Sequence, residues 1–224
     1  MSIQPLSFAG ALLTPLPSGG LWWGAERLLC VSDLHLGKSE RIARLGGSLL
    51  PPYETRETLH RLAEDVRSLA PRIVVSLGDS FDDLAAQAAL DDADRAQLAA
   101  MMAGRRWIWI EGNHAPGPLE LGGEHLAELR HGGLTFRHIA EAGAAPGEIS
   151  GHYHPKASLA LRGRNLTSAC FFHDATRLIL PAYGAYTGGL AVTHPDLRGL
   201  MDDNPGVILT RAPGQSLPLA RCAG

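Results

Sequence analysis

Three strongly apolar runs, at residues 27–32, 72–77 and 105–110, are separated by segments with helical periodicity, and each stops at a polar cluster. Buried strands joined by crossover helices have one simple arrangement, a parallel sheet whose strands finish on the same edge. The clusters are Asp33-Leu34-His35, Gly78-Asp79 and Gly112-Asn113-His114; a fourth, Gly151-His152-Tyr153-His154, follows a short strand-like run at 148–150. Open α/β sheets place their chemistry at the carboxyl ends of strands. Four such clusters, in this order, predict convergence on one site.

The rest of the pattern fills out the fold. Residues 10–15 and 21–23, separated by Ser18-Gly19-Gly20, read as an opening hairpin. After Pro51-Pro52, the spacing of Leu59, Leu62, Ala63, Val66 and Leu69 predicts a helix with one buried face. Residues 82–103 read as one Ala/Leu-rich helix ended by Gly104. Beyond it come short strands at 134–137, 148–150, 157–161, 169–173 and 177–180, which predict a second, mixed or antiparallel sheet. The expected fold class is α/β: two stacked sheets with helices outside, in a single domain spanning residues 1–224.

A net charge of −3 excludes a broadly basic, DNA-coating surface. It does not exclude a nucleic-acid substrate, because bound divalent cations reverse the local sign of a site. Cys30, Cys170 and Cys222 are odd in number and lack CxxC spacing, so buried or free thiols are expected. The apolar stretch at 8–16 is broken by Pro15 and has no basic segment before it, which argues against a signal peptide or a membrane span. The cytoplasm is the expected compartment. The Trp22-Trp23 pair is read as an exposed strand edge through which a homodimer could form.

The four clusters supply carboxylate, imidazole and amide oxygen without thiolate, a mixture suited to Mn²⁺, Fe²⁺, Zn²⁺ or Co²⁺. His152-x-His154, between Gly151 and Pro155, is the sharpest local signal for a metal pair. Asp79, midway in the series, is the candidate to bridge two cations, and paired cations about 3.5–4 Å apart are the usual clamp for displacement at phosphorus.

Together these motifs resemble the calcineurin-like metallophosphoesterase superfamily. The resemblance implies a four-layer α/β/β/α sandwich of two mixed sheets flanked by helices. It implies one metal on Asp33, His35, Asp79 and His154, and a second on Asp79, Asn113, His152 and a further histidine. His138, closing the run at 134–137, is favoured for that place over His131. His114 resembles the superfamily's non-ligand histidine, which protonates the leaving oxygen or steadies the transition state. The superfamily usually follows this histidine with Asp or Glu, whereas Ala115 stands here, leaving Asp82 or Asp83 as alternative carboxylates to orient the ring.

Asp33-Leu-His-Leu-Gly-Lys38, Leu50-Pro51 and Leu180-Pro-Ala-Tyr-Gly-Ala-Tyr-Thr-Gly-Gly-Leu190 further resemble the PdeM family of bacterial phosphoesterases, associated with a DNA ligase and a helicase in DNA-damage response. That resemblance implies two divalent ions, with Mn²⁺ favoured and Fe²⁺ or Zn²⁺ as alternatives. It implies a DNA endonuclease in which a hydroxide shared by the metals attacks phosphorus in line, Asn113 helps to hold the phosphate and His114 serves the leaving group. Lys38 is a candidate contact to a substrate phosphate. Two other readings are a nucleotide or lipid-linked pyrophosphatase resembling the UDP-diacylglucosamine hydrolases, and a non-catalytic scaffold in a repair complex.

Overall fold

In the computed structural model, residues 4–47, 53–114, 121–161, 164–211 and 216–222 are described. Ala115, Leu50-Pro51, Pro52 and Arg162 lie outside them. The first sheet contains β1 (Leu6–Phe8), β2 (Ala11–Pro15), β3 (Leu21–Trp23), β4 (Leu28–Ser32), β5 (Ile73–Leu77), β6 (Arg106–Ile110) and β7 (Glu124–Leu126), in that spatial order. β1 to β4 pair antiparallel, and β4 to β7 pair parallel. The second sheet contains β8 (Glu128–His131), β9 (Leu134–Arg137), β10 (Glu148–Ser150), β11 (Lys156–Leu161), β12 (Arg164–His173), β13 (Arg177–Ile179), β14 (Gly206–Leu209) and β15 (Leu217–Pro218). It is mixed, with β10 parallel to both β9 and β13.

Strand alternation explains the layers, because successive side chains leave opposite faces. On β4, Leu28 and Cys30 enter the core between the sheets, while Leu29 and Val31 face the helical side. On β6, Ile108 and Ile110 point inward and Trp107 and Trp109 point to the helices. Phe136, Ile149, Phe171 and Leu178 complete the inter-sheet core from the second sheet. The helical layer on the first sheet includes α2 (Glu54–Leu69) and α4 (Asp92–Met102), and α5 (Pro195–Arg198) packs on the outer face of the second. The architecture is therefore a four-layer α/β/β/α sandwich.

Three expectations need correction, and one helix has no counterpart in the sequence reading. The segment read as one helix at 82–103 is two, α3 (Leu84–Ala88) and α4, because Asp83 and Asp91 each cap a new start through Ala86 N–H and Asp94 N–H. The short helix α1 (Lys38–Arg44), directly after the first cluster, was not expected. The strand expected at 169–173 is the end of the ten-residue β12. Finally, β3 pairs with β2 on one side and β4 on the other, so Trp22-Trp23 is not a sheet edge, and the homodimer reading loses its sequence basis. No helix among the described residues is long and apolar enough to cross a membrane. The three cysteines are free; burial raises the thiol pKa of all three.

Candidate metal centre

The parallel pairing of β4, β5 and β6 brings Asp33, Asp79, Asn113 and His114 to one edge. In the second sheet, parallel β9 and β10 deliver His138 and the 152–154 pair. Seven of the residues expected from sequence therefore meet across the two sheets, in two adjoining clusters. Asp33, His35 and His154 form one, and Asp79, His138 and His152 the other, with Asn113 beside it.

Hydrogen bonds fix which nitrogen faces each cluster. His35 Nδ1 lies 2.8 Å from Asp82 Oδ1, and its buried Nε2 has no hydrogen-bond partner. His138 Nδ1 donates to the Leu77 carbonyl at 2.9 Å, which leaves Nε2 turned inward. A carboxylate or carbonyl on the outer nitrogen sets tautomer and orientation in metal-binding histidines. His131, the discarded alternative to His138, pairs with Glu26 at 2.9 Å, away from the site.

The donor set fits a cation. Around His138 Nε2 stand Asn113 Oδ1 at 2.9 Å, Asp79 Oδ2 at 3.3 Å and His152 Nδ1 at 3.3 Å. These atoms bring lone pairs to one point, where positive charge is the stable occupant. Buried Asp33 Oδ1 has no hydrogen-bond partner although His154 Nε2 is 3.2 Å away. The field agrees with the geometry. Burial alone would raise the Asp79 carboxyl, but His138 and the His114 backbone N–H outweigh it and lower its pKa. Burial would lower His138, yet the hydrogen bond to Asp79 and the nearby Asp33 and Asp79 charges raise it. His152 is lowered, by burial first and by its neighbour His138 second.

The backbone is unusual at these residues. Asp33, His35, Asp79, His152 and His154 all have positive φ, between 40° and 69°. Asp and His are among the few non-glycine residues that enter this region with any frequency. At Gly78, φ is +68°, and a Cβ there would land on the His138 ring. Glycine at this position therefore allows His138 to reach Asp79.

Sequence reasoning missed the role of Asp82. Its carboxylate accepts from His35 and from Arg41 Nη1 at 2.9 Å, while its backbone carbonyl accepts from His114 Nδ1 at 3.2 Å. The ring of His114 is thus oriented by a main-chain oxygen rather than by the expected carboxylate. Asp83 is engaged elsewhere, capping α3 and pairing with Arg44. Burial would raise the Asp82 carboxyl, but the His35 and Arg41 hydrogen bonds outweigh it and hold it at about 2. Asp82→Ala should weaken Mn²⁺ affinity about 10–100-fold in calorimetric titration, through release of His35. Asp82→Asn, which keeps an oxygen for His35, should lose less, and equal loss from both would refute this account of His35.

The segment at 181–190 buttresses the site from the side of β4. Tyr183 N–H donates to Ser32 O at 2.7 Å and Gly184 N–H to Asp33 O at 3.0 Å. Buried Tyr183 also donates its hydroxyl to Asp65 Oδ2 at 2.9 Å, anchoring the segment to α2. A Cβ on Gly184 would collide with the Leu34 carbonyl, so only glycine permits this approach. Lys38 opens α1, half-buried, and its charge helps to lower Asp82.

No family model matches the chain, and no curated protein matches it in sequence. Among solved structures it is similar to the crystal structure of Pseudomonas putida nuclease MPE, with a TM-score of 0.72 and 26% identity. The match covers 97% of this chain and 100% of that one. The chain has the metallophosphoesterase sandwich fold. Its clustered Asp and His residues are compatible with metal binding within that fold.

Proposed function

We propose that this chain is a divalent-metal-dependent phosphodiesterase that cleaves DNA internally. The observation that carries the reading is the pair of adjoining ligand clusters, Asp33–His35–His154 and Asp79–His138–His152, at the strand ends of both sheets. The similarity to a nuclease along nearly the whole chain supports a nucleic-acid substrate. Asp33, His35, Asp79 and His154 would hold one cation, and Asp79, Asn113, His138 and His152 the other, with Mn²⁺ the first choice. When bound, such cations polarise a phosphoryl group and lower the pKa of water.

The chain's own residues divide the remaining work. Asn113, exposed in the loop that follows β6, helps to hold the phosphate against the cluster. His114 keeps Nδ1–H on the Asp82 carbonyl and is partly open to solvent, so Nε2 is the atom that passes a proton to the leaving oxygen. Lys38 is assigned to a phosphate of the bound strand. The DNA-damage-response setting and association with a ligase or helicase follow from the PdeM resemblance and belong to the same proposal.

A cavity of about 460 Å³ beside Asn113 and His138 is lined by Glu111, Glu128, Arg137, Ile139 and Glu141. The test is a Mn²⁺-supplemented assay comparing single-stranded DNA, duplex DNA, cyclic nucleotides and nucleoside-diphosphate lipids. Internal cleavage of DNA is the expected result. Binding of the metal without hydrolysis of any diester would sink the proposal and favour the scaffold.

A further inference from the structure

The metal clusters explain the chemistry at phosphorus but leave unassigned the surface that meets the rest of the substrate. Among the described residues, the exposed large hydrophobics include two aromatics, Tyr53 and Tyr186. Tyr186 is 46% exposed and lies in the segment that buttresses the candidate metal centre. Two residues before it, Gly184 N–H is bonded to Asp33 O; three residues after it, Gly189 lies so close to His154 that a Cβ would strike the His154 carbonyl. Tyr186 thus occupies the tip of a turn strung between one ligand of the first cluster and another.

Two further features mark the residue. Its φ is +57°, at a turn position where glycine or asparagine fits without steric cost. Gly184, Gly188 and Gly189 show that glycine is abundant in this segment, yet the strained position carries an aromatic ring. The turn is also held firmly: Thr187 Oγ1 donates to Gly184 O at 3.2 Å, and Lys156 Nζ donates to Thr187 O at 3.2 Å. A solvent-facing aromatic on a hydrogen-bonded turn beside the proposed phosphodiester-cleaving centre has the properties of a stacking platform, since every nucleobase offers a π-face.

We infer that Tyr186 stacks on a nucleobase next to the bond being cleaved, and so selects for substrates with an accessible, unpaired base at that position. This rests on the nucleic-acid reading above. Tyr186 binds the substrate and takes no part in proton transfer or metal ligation.

The test uses Tyr186→Leu, which keeps apolar bulk, and Tyr186→Phe, which keeps the ring. The probes are a short single-stranded DNA and a strand of the same length with abasic residues through its centre. Tyr186→Leu should raise KM for the normal strand about tenfold or more, with kcat and melting temperature near wild type, while Tyr186→Phe should match wild type. On the abasic strand all three proteins should have equal KM. A 2-aminopurine in the normal strand should be quenched on binding to wild type and Tyr186→Phe but not to Tyr186→Leu. Active wild type with an unaffected Leu variant, or an equal loss on both strands, would overturn the stacking role alone. A wild-type protein that neither binds nor cleaves either strand with Mn²⁺ supplied overturns the nuclease reading, and this inference with it.

Discussion

Asp79→Asn is expected to lower Mn²⁺-supported turnover of bis(p-nitrophenyl) phosphate by about a thousandfold or more while the protein stays folded. The two effects separate because the two carboxylate oxygens do different work. Oδ1 accepts the His114 backbone N–H at 2.9 Å, a bond that an amide oxygen can keep. Oδ2 stands 3.3 Å from His138 Nε2 and supplies negative charge to the point where four lone-pair atoms meet. Removing that charge takes away the one carboxylate of the Asp79–His138–His152 cluster, the residue the proposed function shares between two cations. Metal polarisation is worth several kcal/mol at the transition state, so a loss of about 4 kcal/mol corresponds to about three decades. Circular dichroism and thermal melting check the fold, and metal analysis after gel filtration checks the occupancy. Turnover within tenfold of wild type would remove Asp79 from the centre.

His114→Ala should cost about 10²–10⁴-fold in kcat on a DNA substrate and should leave Mn²⁺ stoichiometry unchanged. His114 could instead be grouped with His35 and Asp82 as a third set of potential ligands. The hydrogen bonds argue otherwise: Asp82 is committed to His35 and Arg41, and His114 Nδ1 points at a main-chain carbonyl. Loss of one cation in His114→Ala would make it a ligand after all. A second readout isolates the proton. An ester with p-nitrophenolate, which departs without protonation, should suffer much less from His114→Ala than DNA, whose leaving alkoxide needs the proton. Equal losses on both substrates would exclude the general-acid role. The scaffold reading predicts no effect on either.

Much of the framework was legible because apolar runs and strand-end polar clusters are local signals. β4, β5 and β6 were each marked by a buried run, and their parallel pairing followed from the helices between them. The choice of His138 over His131 could be made because His138 directly ends a strand. Less legible were features made by contacts distant in sequence. Asp82 reaches His35 across 47 residues, and the segment at 181–190 reaches Ser32 and Asp33 from the far end of the chain. The break between α3 and α4 was lost because an Ala-rich composition hides a start marked only by Asp91. The two-residue spacing of Asp33 and His35 would put both side chains on one side of an extended strand. In the structure both are left-handed, and His35 is held by its N–H on the Asp79 carbonyl at 2.9 Å. The expectation of convergence was sound, though the local conformation behind it differed.

The left-handed backbone at Asp33, His35, Asp79, His152 and His154 also restricts which side chains can replace them. Metal sites are usually compared by what their side chains can coordinate, and by that standard cysteine or glutamate would serve at several of these positions. Here the main chain imposes a prior test, favouring residues that tolerate positive φ before their chemistry is considered. Exchange among Asp, Asn and His passes that test more easily than a thiolate or a longer carboxylate does. Altering metal preference by ligand replacement would thus require rebuilding the loops as well as the side chains. The preference for oxygen and nitrogen donors is written into the turns that present them.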